Sequence, residues 1–261
     1  MAGSAAAAGC AIPGRTLIPR AAAAPWQPPT SDPATVAALH RGDKPTQWGT
    51  SVPGVATTFA ATRKQIALTF DACAGRCDDA LLATLERNAV PALLFLSSRW
   101  INANPGRAEQ LAANPMFEIG NHGTRHVPLS VTGRSAYGIK GTSSAEEAVT
   151  EVWTNHTRLA ALTGKPPTFF RPGTAHYDDV GVAIVNELSE RPLGFRVGAD
   201  NGAKASVAQV RARLTGAAPG SIVQAHMNHP ESGTAAGVGD AITALRASGW
   251  EFVSVTGRIL Q

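Results

Sequence analysis

Gln65-Ile-Ala-Leu-Thr-Phe-Asp-Ala-Cys-Ala-Gly-Arg-Cys-Asp-Asp-Ala-Leu-Leu-Ala-Thr-Leu-Glu-Arg-Asn88, succeeded closely by Pro91-Ala-Leu-Leu-Phe-Leu96, decides the fold class. A short apolar run ends at Phe70, a turn passes through Gly75, and a helix-like stretch covers 79–88 before a second apolar run. The unit reads strand, turn, helix, strand, and it recurs along the chain. Further strands are expected at 117–121, 168–170, 193–197, 221–225 and 252–255. Helices are expected at 105–113, 144–162, 178–188, 206–214 and 234–247. Ser144 with Glu147 forms a capping box at the start of the longest helix, and Gly164-Lys-Pro-Pro167 stops it. Seven strands alternating with helices predict an α/β fold with parallel strands. A barrel and an open doubly wound sheet both fit that count.

With 261 residues, 44% of them hydrophobic, the chain can bury one sizeable core. Residues 1–45 are rich in Ala and Pro and read as a tail or an arm lying on the domain, with 46–261 as the domain itself. The net charge of +4 is a mild bias, compatible with an anionic partner or with an ordinary solvated surface. No basic run interleaved with aromatics supports nucleic-acid binding, and no segment is apolar for long enough to span a bilayer. Three cysteines are too few for a disulfide scaffold, although Cys73 and Cys77 are spaced to close one small loop. Met1 to Cys10 lacks the basic and apolar regions of a secretion signal, while Ala-Ala-Gly-Cys10 is similar to a lipoprotein cleavage box.

Reactive side chains stand at the strand ends: Asp71, then His122 and His126, then Arg171, Asp200 and His226. Strand C-termini of a parallel fold share one face, so these side chains are expected in one site. Two imidazoles four residues apart on a tight turn can grip one divalent metal. Tyr177 and Trp48 are candidates for stacking on sugar rings. The loop 127–142, with Arg134, Tyr137 and Lys140, is long enough to form a substrate wall. His40 and His156 read as surface residues. Ser232 to Gly237 lacks the lysine of a phosphate loop and reads as a helix cap. No Gly-x-Ser-x-Gly elbow comes after a strand, which disfavours a serine hydrolase.

Taken together, these blocks resemble the NodB-type polysaccharide deacetylases over about residues 60–256. Thr69-Phe70-Asp71 is similar to that family's Thr-Phe-Asp-Asp block, and His122 to His126 to its His-Ser/Thr-x-x-His block. Arg171-Pro172 is similar to the start of Arg-Pro-Pro-Tyr-Gly, and Val223-Gln-Ala-His226 to Leu-x-x-His. The resemblance implies a distorted (β/α) barrel of about seven parallel strands and removal of N- or O-acetyl groups from chitin, peptidoglycan or xylan. It implies a divalent metal, zinc by preference, on His122 and His126, with Asp71 as general base and Arg171 pairing with it. His226 would be the general acid, oriented by Asp200, and the backbone N–H near Thr174 would help hold the oxyanion. Substrate binding is expected at Thr174 and Tyr177, the partner being an acetylated glycan, or a small amide, met after export.

Two positions depart from the pattern. The family's second aspartate, a metal ligand, is Ala72, and the residue after the first histidine is Gly123 where the family has Ser or Thr. Replacement ligands are expected among Asp71, Asp78, Asp79 and His176. Cys73, next to Ala72, is expected on the opposite side and outside the ligand set. Loss of the aspartate also fits a metal-free relative that hydrolyses small cyclic amides, or a barrel that only binds glycan.

Overall fold

The computed structural model describes residues 32–261. The strands are β1 (Gln65–Ala72), β2 (Ala92–Leu96), β3 (Phe117–Asn121), β4 (Phe169–Phe170), β5 (Arg191–Pro192), β6 (Val197–Gly198), β7 (Ile222–His226) and β8 (Glu251–Phe252). Seven of them run in the order β6-β7-β1-β2-β3-β4-β5, with β8 added on β1, and every pairing is parallel. That order is a circular permutation of chain order, so the sheet curls into a barrel left open between β5 and β6. The segment before β1 bridges the opening: Ala56 pairs with Leu193 and Thr58 with Ser221. The fold is therefore the distorted (β/α) barrel expected from the resemblance.

All eight residues of β1 are buried, as parallel strands covered on both faces require. Ile66, Leu68, Phe70 and Ala72 pack outward with helix residues such as Leu81, Leu85 and Trp100. Ala67 packs inward with Leu93, Phe95, Phe169 and Ile222. Strand alternation then puts Thr69 and Asp71 on the inward face as well. The register sets Gln224 opposite Thr69 and His226 opposite Asp71. The barrel is thus apolar at its base and polar at the C-terminal rim.

Helices α2 (Asp79–Arg87), α3 (Ser98–Ala103), α4 (Pro105–Ala113), α5 (Ala145–Thr163), α6 (Asp179–Glu187), α7 (Val207–Thr215) and α8 (Thr234–Ala247) connect the strands, and α1 (Pro33–Leu39) precedes them. α1 falls within the expected tail, and its Val36 and Ala37 are buried in the cluster that holds Ala148 and Val152 of α5. The Ala-Ala-Gly-Cys10 reading lies outside the described residues.

Several local features differ from expectation. The strand expected at 193–197 is two short strands, because the carbonyls of Leu193 and Gly194 turn to accept from the buried Arg171 guanidinium. The loop 127–142 contains a small hairpin, Ser135–Ala136 against Ile139–Lys140. Ser144 caps α5, but Glu147 bonds Ser143 instead of closing the box. Gly164 ends that helix in the left-handed conformation, φ 72°. His40 and His156 are both buried, His40 between Asp43 and Glu187 and His156 against Glu190. Among the described residues Cys73 and Cys77 are free thiols: Cys73 faces the barrel mouth, and Cys77 packs beside the outer core.

Candidate active site

A cavity of about 660 Å³ opens at the C-terminal rim, lined by Asp71, Cys73, His122, His126, Thr174 and His226 among others. The expected site residues therefore converge, with one exception. Tyr177 is wholly buried and donates its hydroxyl to the carbonyl of Phe170 at 2.8 Å, so it is a core residue and cannot stack on a sugar. The exposed aromatic at the mouth is Tyr137, at the tip of the hairpin, with its ring edge-on to His176 at 5.5 Å between centroids. Trp48 flanks His176 as well, 5.6 Å away.

Asp71 is held on both oxygens. Arg171 donates to Oδ1 at 2.8 Å, and Gln224 donates to Oδ2 at 2.8 Å. Arg171, itself fully buried, also donates to Thr69 Oγ1 and to the carbonyls of Leu193 and Gly194, and lies 4.3 Å above the Phe95 ring. Burial alone would raise the Asp71 carboxyl. The Arg171 charge, with His122 and His226 nearby, overcomes that and holds it well below the usual carboxylate range.

His226 ends β7. Its Nδ1 lies 3.0 Å from Asp200 Oδ1, and its backbone N–H donates to Asp200 Oδ2 at 2.7 Å. Thr234 Oγ1 donates to the same carboxylate at 3.1 Å. Burial would lower the His226 pKa, but the Asp200 carboxylate lifts it well above that of free histidine. Gln224, which the sequence did not single out, links the two halves by donating to Asp71 while lying 3.3 Å from His226 Nε2.

His122 and His126 stand after β3 on a loop built from beneath. Glu151, buried on α5, accepts from the backbone N–H of Arg125 at 3.0 Å and of His126 at 2.9 Å. Gly123 lies at φ +79°, and a Cβ there would collide with the Glu151 carboxylate. Glu151 thus braces the loop from below with no side chain at 123. Asn121 secures the loop's other end, accepting from Gly123 N–H at 3.0 Å and donating to Glu190 at 2.8 Å. Gly173 lets the turn carrying Thr174 press against the backbone of His126, where a Cβ would clash. Thr174 itself sits at φ 69°, and its Oγ1 has no partner among the described residues.

The donor set for a metal is Cys73, His122 and His126, whose ligand atoms all lie within 4.8 Å of one another. Cys73 was expected outside that set; it lies within it because it faces the same side as Asp71. His122 Nδ1 is 2.7 Å from the carbonyl of Arg171, which can only accept, so Nδ1 carries the proton and Nε2 is left as a donor atom toward Cys73. One thiol and two imidazoles suit a zinc-like cation. The replacement ligands expected from the sequence are engaged elsewhere. Asp71 is tied to Arg171 and Gln224, and Asp78 caps α2 through Leu81 N–H. Asp79 pairs with Arg107, and His176 Nδ1 lies against the Thr174 carbonyl.

Comparison with known proteins bears on the family and the fold. A sequence profile of the polysaccharide deacetylase family matches residues 60–192, just over half of the chain. The peptidoglycan-N-acetylglucosamine deacetylase PgdA of Listeria monocytogenes is 27% identical over 198 residues, 75% of this chain and 39% of that protein. The chain thus spans about two fifths of that relative's length. Two solved structures share the fold: a family 4 carbohydrate esterase pseudoenzyme from Bacillus anthracis and a family 4 carbohydrate esterase from Streptomyces lividans in complex with acetate. The first has a TM-score of 0.67 at 22% identity, over 79% of this chain and 69% of that one. The second has a TM-score of 0.63 at 19% identity, over 76% of this chain and 98% of that one. The matched span carries Asp71, the histidine pair and Arg171 on the rim of such a barrel, and the chain belongs to the polysaccharide deacetylase family.

Proposed function

We propose that this protein is a hydrolase that removes acetyl groups, chiefly from amide nitrogen, from an acetylated glycan such as peptidoglycan or a chitin oligomer. The observation that carries the reading is one open cavity holding Asp71 paired with Arg171, His226 backed by Asp200 and a set of metal donors. A divalent cation held by His122 and His126 would act as a Lewis acid on the acetyl carbonyl and lower the pKa of the attacking water.

Asp71 takes the water proton. Arg171 and Gln224 fix its plane, and it lines the cavity. A carboxylate held so low is a weak base, so it needs an acidified water, which favours the metal-assisted reading over the metal-free one. The Thr174 N–H would donate to the oxygen that gains charge as the carbonyl becomes tetrahedral. His226, kept protonated by Asp200, gives its proton to the amine nitrogen as the C–N bond breaks. Acetate leaves with the water oxygen. Tyr137 at the mouth takes the sugar-stacking role expected of Tyr177, and Trp48, expected in the same role, stands beside His176 with Arg134 over its ring. Such a substrate lies in the cell envelope or outside the cell, and none of the described helices is long and apolar enough to cross a membrane.

Ala72 lends support to a non-catalytic barrel, but a pure binder has no need for the buried Asp71–Arg171 pair beside a charged His226. The test is acetate release from N-acetylglucosamine oligomers and from peptidoglycan by zinc-loaded and chelated protein. Release that stops on chelation is expected. Turnover of small cyclic amides indifferent to chelator would favour the metal-free reading, and glycan binding without turnover the non-catalytic one.

A further inference from the structure

We propose that Cys73 is the third metal ligand, a thiolate standing one residue beyond the position where the family pattern carries its aspartate, so that the centre is a Cys-His₂ site. The inference rests on the reading of His122 and His126 as metal ligands.

The shift is a consequence of strand geometry. Ala72 is fully buried in the outward apolar layer that also holds Leu96 and Trp100. A carboxylate at 72 on this backbone would enter that layer, not the cavity. The inward face of β1 runs through Thr69 and Asp71, and the next inward position is Cys73. Ser97 pins the backbone there: its hydroxyl donates to the Cys73 carbonyl at 2.7 Å, and its N–H to the Ala72 carbonyl at 3.3 Å.

The Cys73–His122 separation agrees with shared coordination. Cys73 Sγ lies 3.7 Å from His122 Nε2. In a tetrahedral zinc site with ordinary Zn–S and Zn–N bonds, sulfur and nitrogen are about 3.6 Å apart. Three protein ligands leave one position open, as a hydrolytic centre requires. A thiolate also supplies the negative charge that the missing aspartate would have brought. Its softness sets the metal preference: zinc should be held far better than magnesium, calcium or manganese.

The test uses metal-stripped protein. Titration with Co²⁺ should give a near-ultraviolet thiolate-to-cobalt charge-transfer band in the wild type and none in Cys73→Ala. Competition against a chromophoric chelator should show zinc held roughly tenfold or more weakly by Cys73→Ala. Cys73→Asp should recover much of that affinity without the band, whereas Ala72→Asp added to Cys73→Ala should not. In the wild type alone, zinc should slow alkylation of Cys73 by iodoacetamide while leaving Cys77 unchanged, as read by peptide mass. A wild-type cobalt complex without the band, or alkylation of Cys73 indifferent to zinc, overturns the assignment. Chelator-sensitive acetate release without the band would sink Cys73 as a ligand and leave the deacetylase. The band and tight zinc binding without acetate release would do the reverse.

Discussion

His122 and His226 lie at the ends of two strands of one sheet and look into one cavity, yet their surroundings prepare them for opposite tasks. His122 rests its Nδ1 on a backbone carbonyl, that of Arg171, which fixes the tautomer and turns a lone pair toward the metal donors. His226 rests its Nδ1 on the Asp200 carboxylate, which stabilises the imidazolium and suits the ring to the acid role proposed for it. In the proposed mechanism the group behind the ring, not the histidine itself, assigns the role.

Substitution at each end should separate the two tasks most sharply. His122→Ala is expected to lose bound zinc and turnover together. His226→Ala should keep its zinc while turnover falls by roughly a hundredfold to ten-thousandfold, the usual worth of a general acid. Metal content by mass spectrometry alongside acetate release decides between them; equal zinc loss in both variants would erase the distinction. Asp71→Asn, which serves both ends, should stop turnover and also destabilise the fold. Arg171 would be left as a buried cation without a counter-charge, at a cost of about 3 kcal/mol measurable by chemical denaturation.

A finer probe is Asp200→Asn. Because Asp200 raises the His226 pKa, its removal should move the alkaline limb of kcat/KM to lower pH, with a turnover loss of about tenfold to a hundredfold. The acid limb should stay where it is in the wild type. An unchanged alkaline limb would mean that His226 is not the acid. On the other side, Glu151→Gln should weaken the loop below His126 by about 1–3 kcal/mol. Zinc affinity should fall about tenfold while the pH profile keeps its shape.

The smallest expected effect concerns Glu190, beneath the metal loop. Burial pushes its carboxyl up to about 7 despite hydrogen bonds from His156 and Asn121. The folded protein then keeps a proton that the unfolded chain has released, so this group lowers stability as pH rises from the ordinary carboxylate range toward 7. Glu190→Gln should flatten that slope in urea denaturation series; a slope left unchanged would mean that Glu190 does not set it.

Much of this arrangement is legible in the sequence because strand and helix periods recur regularly and reactive residues stand at strand ends. The exceptions have physical causes. Cys73 lies opposite Ala72, but the residue that tells which side is the cavity is Asp71, two positions back on the same face. His156 reads as a surface residue and Glu151 carries no motif, and only packing against the barrel buries them. Tyr177 belongs to a two-residue strand paired with Trp48–Gly49, a contact between segments far apart in the chain that no local pattern announces. Gln224 lies inside a strand, where an amide carries no motif.

The most direct test is a zinc titration of metal-stripped protein with acetate release from an N-acetylglucosamine oligomer monitored at each step. A metal-assisted deacetylase should be silent without metal, gain turnover in proportion to zinc, and level off at about one equivalent. Turnover undiminished by stripping, or none with one zinc bound, would contradict it.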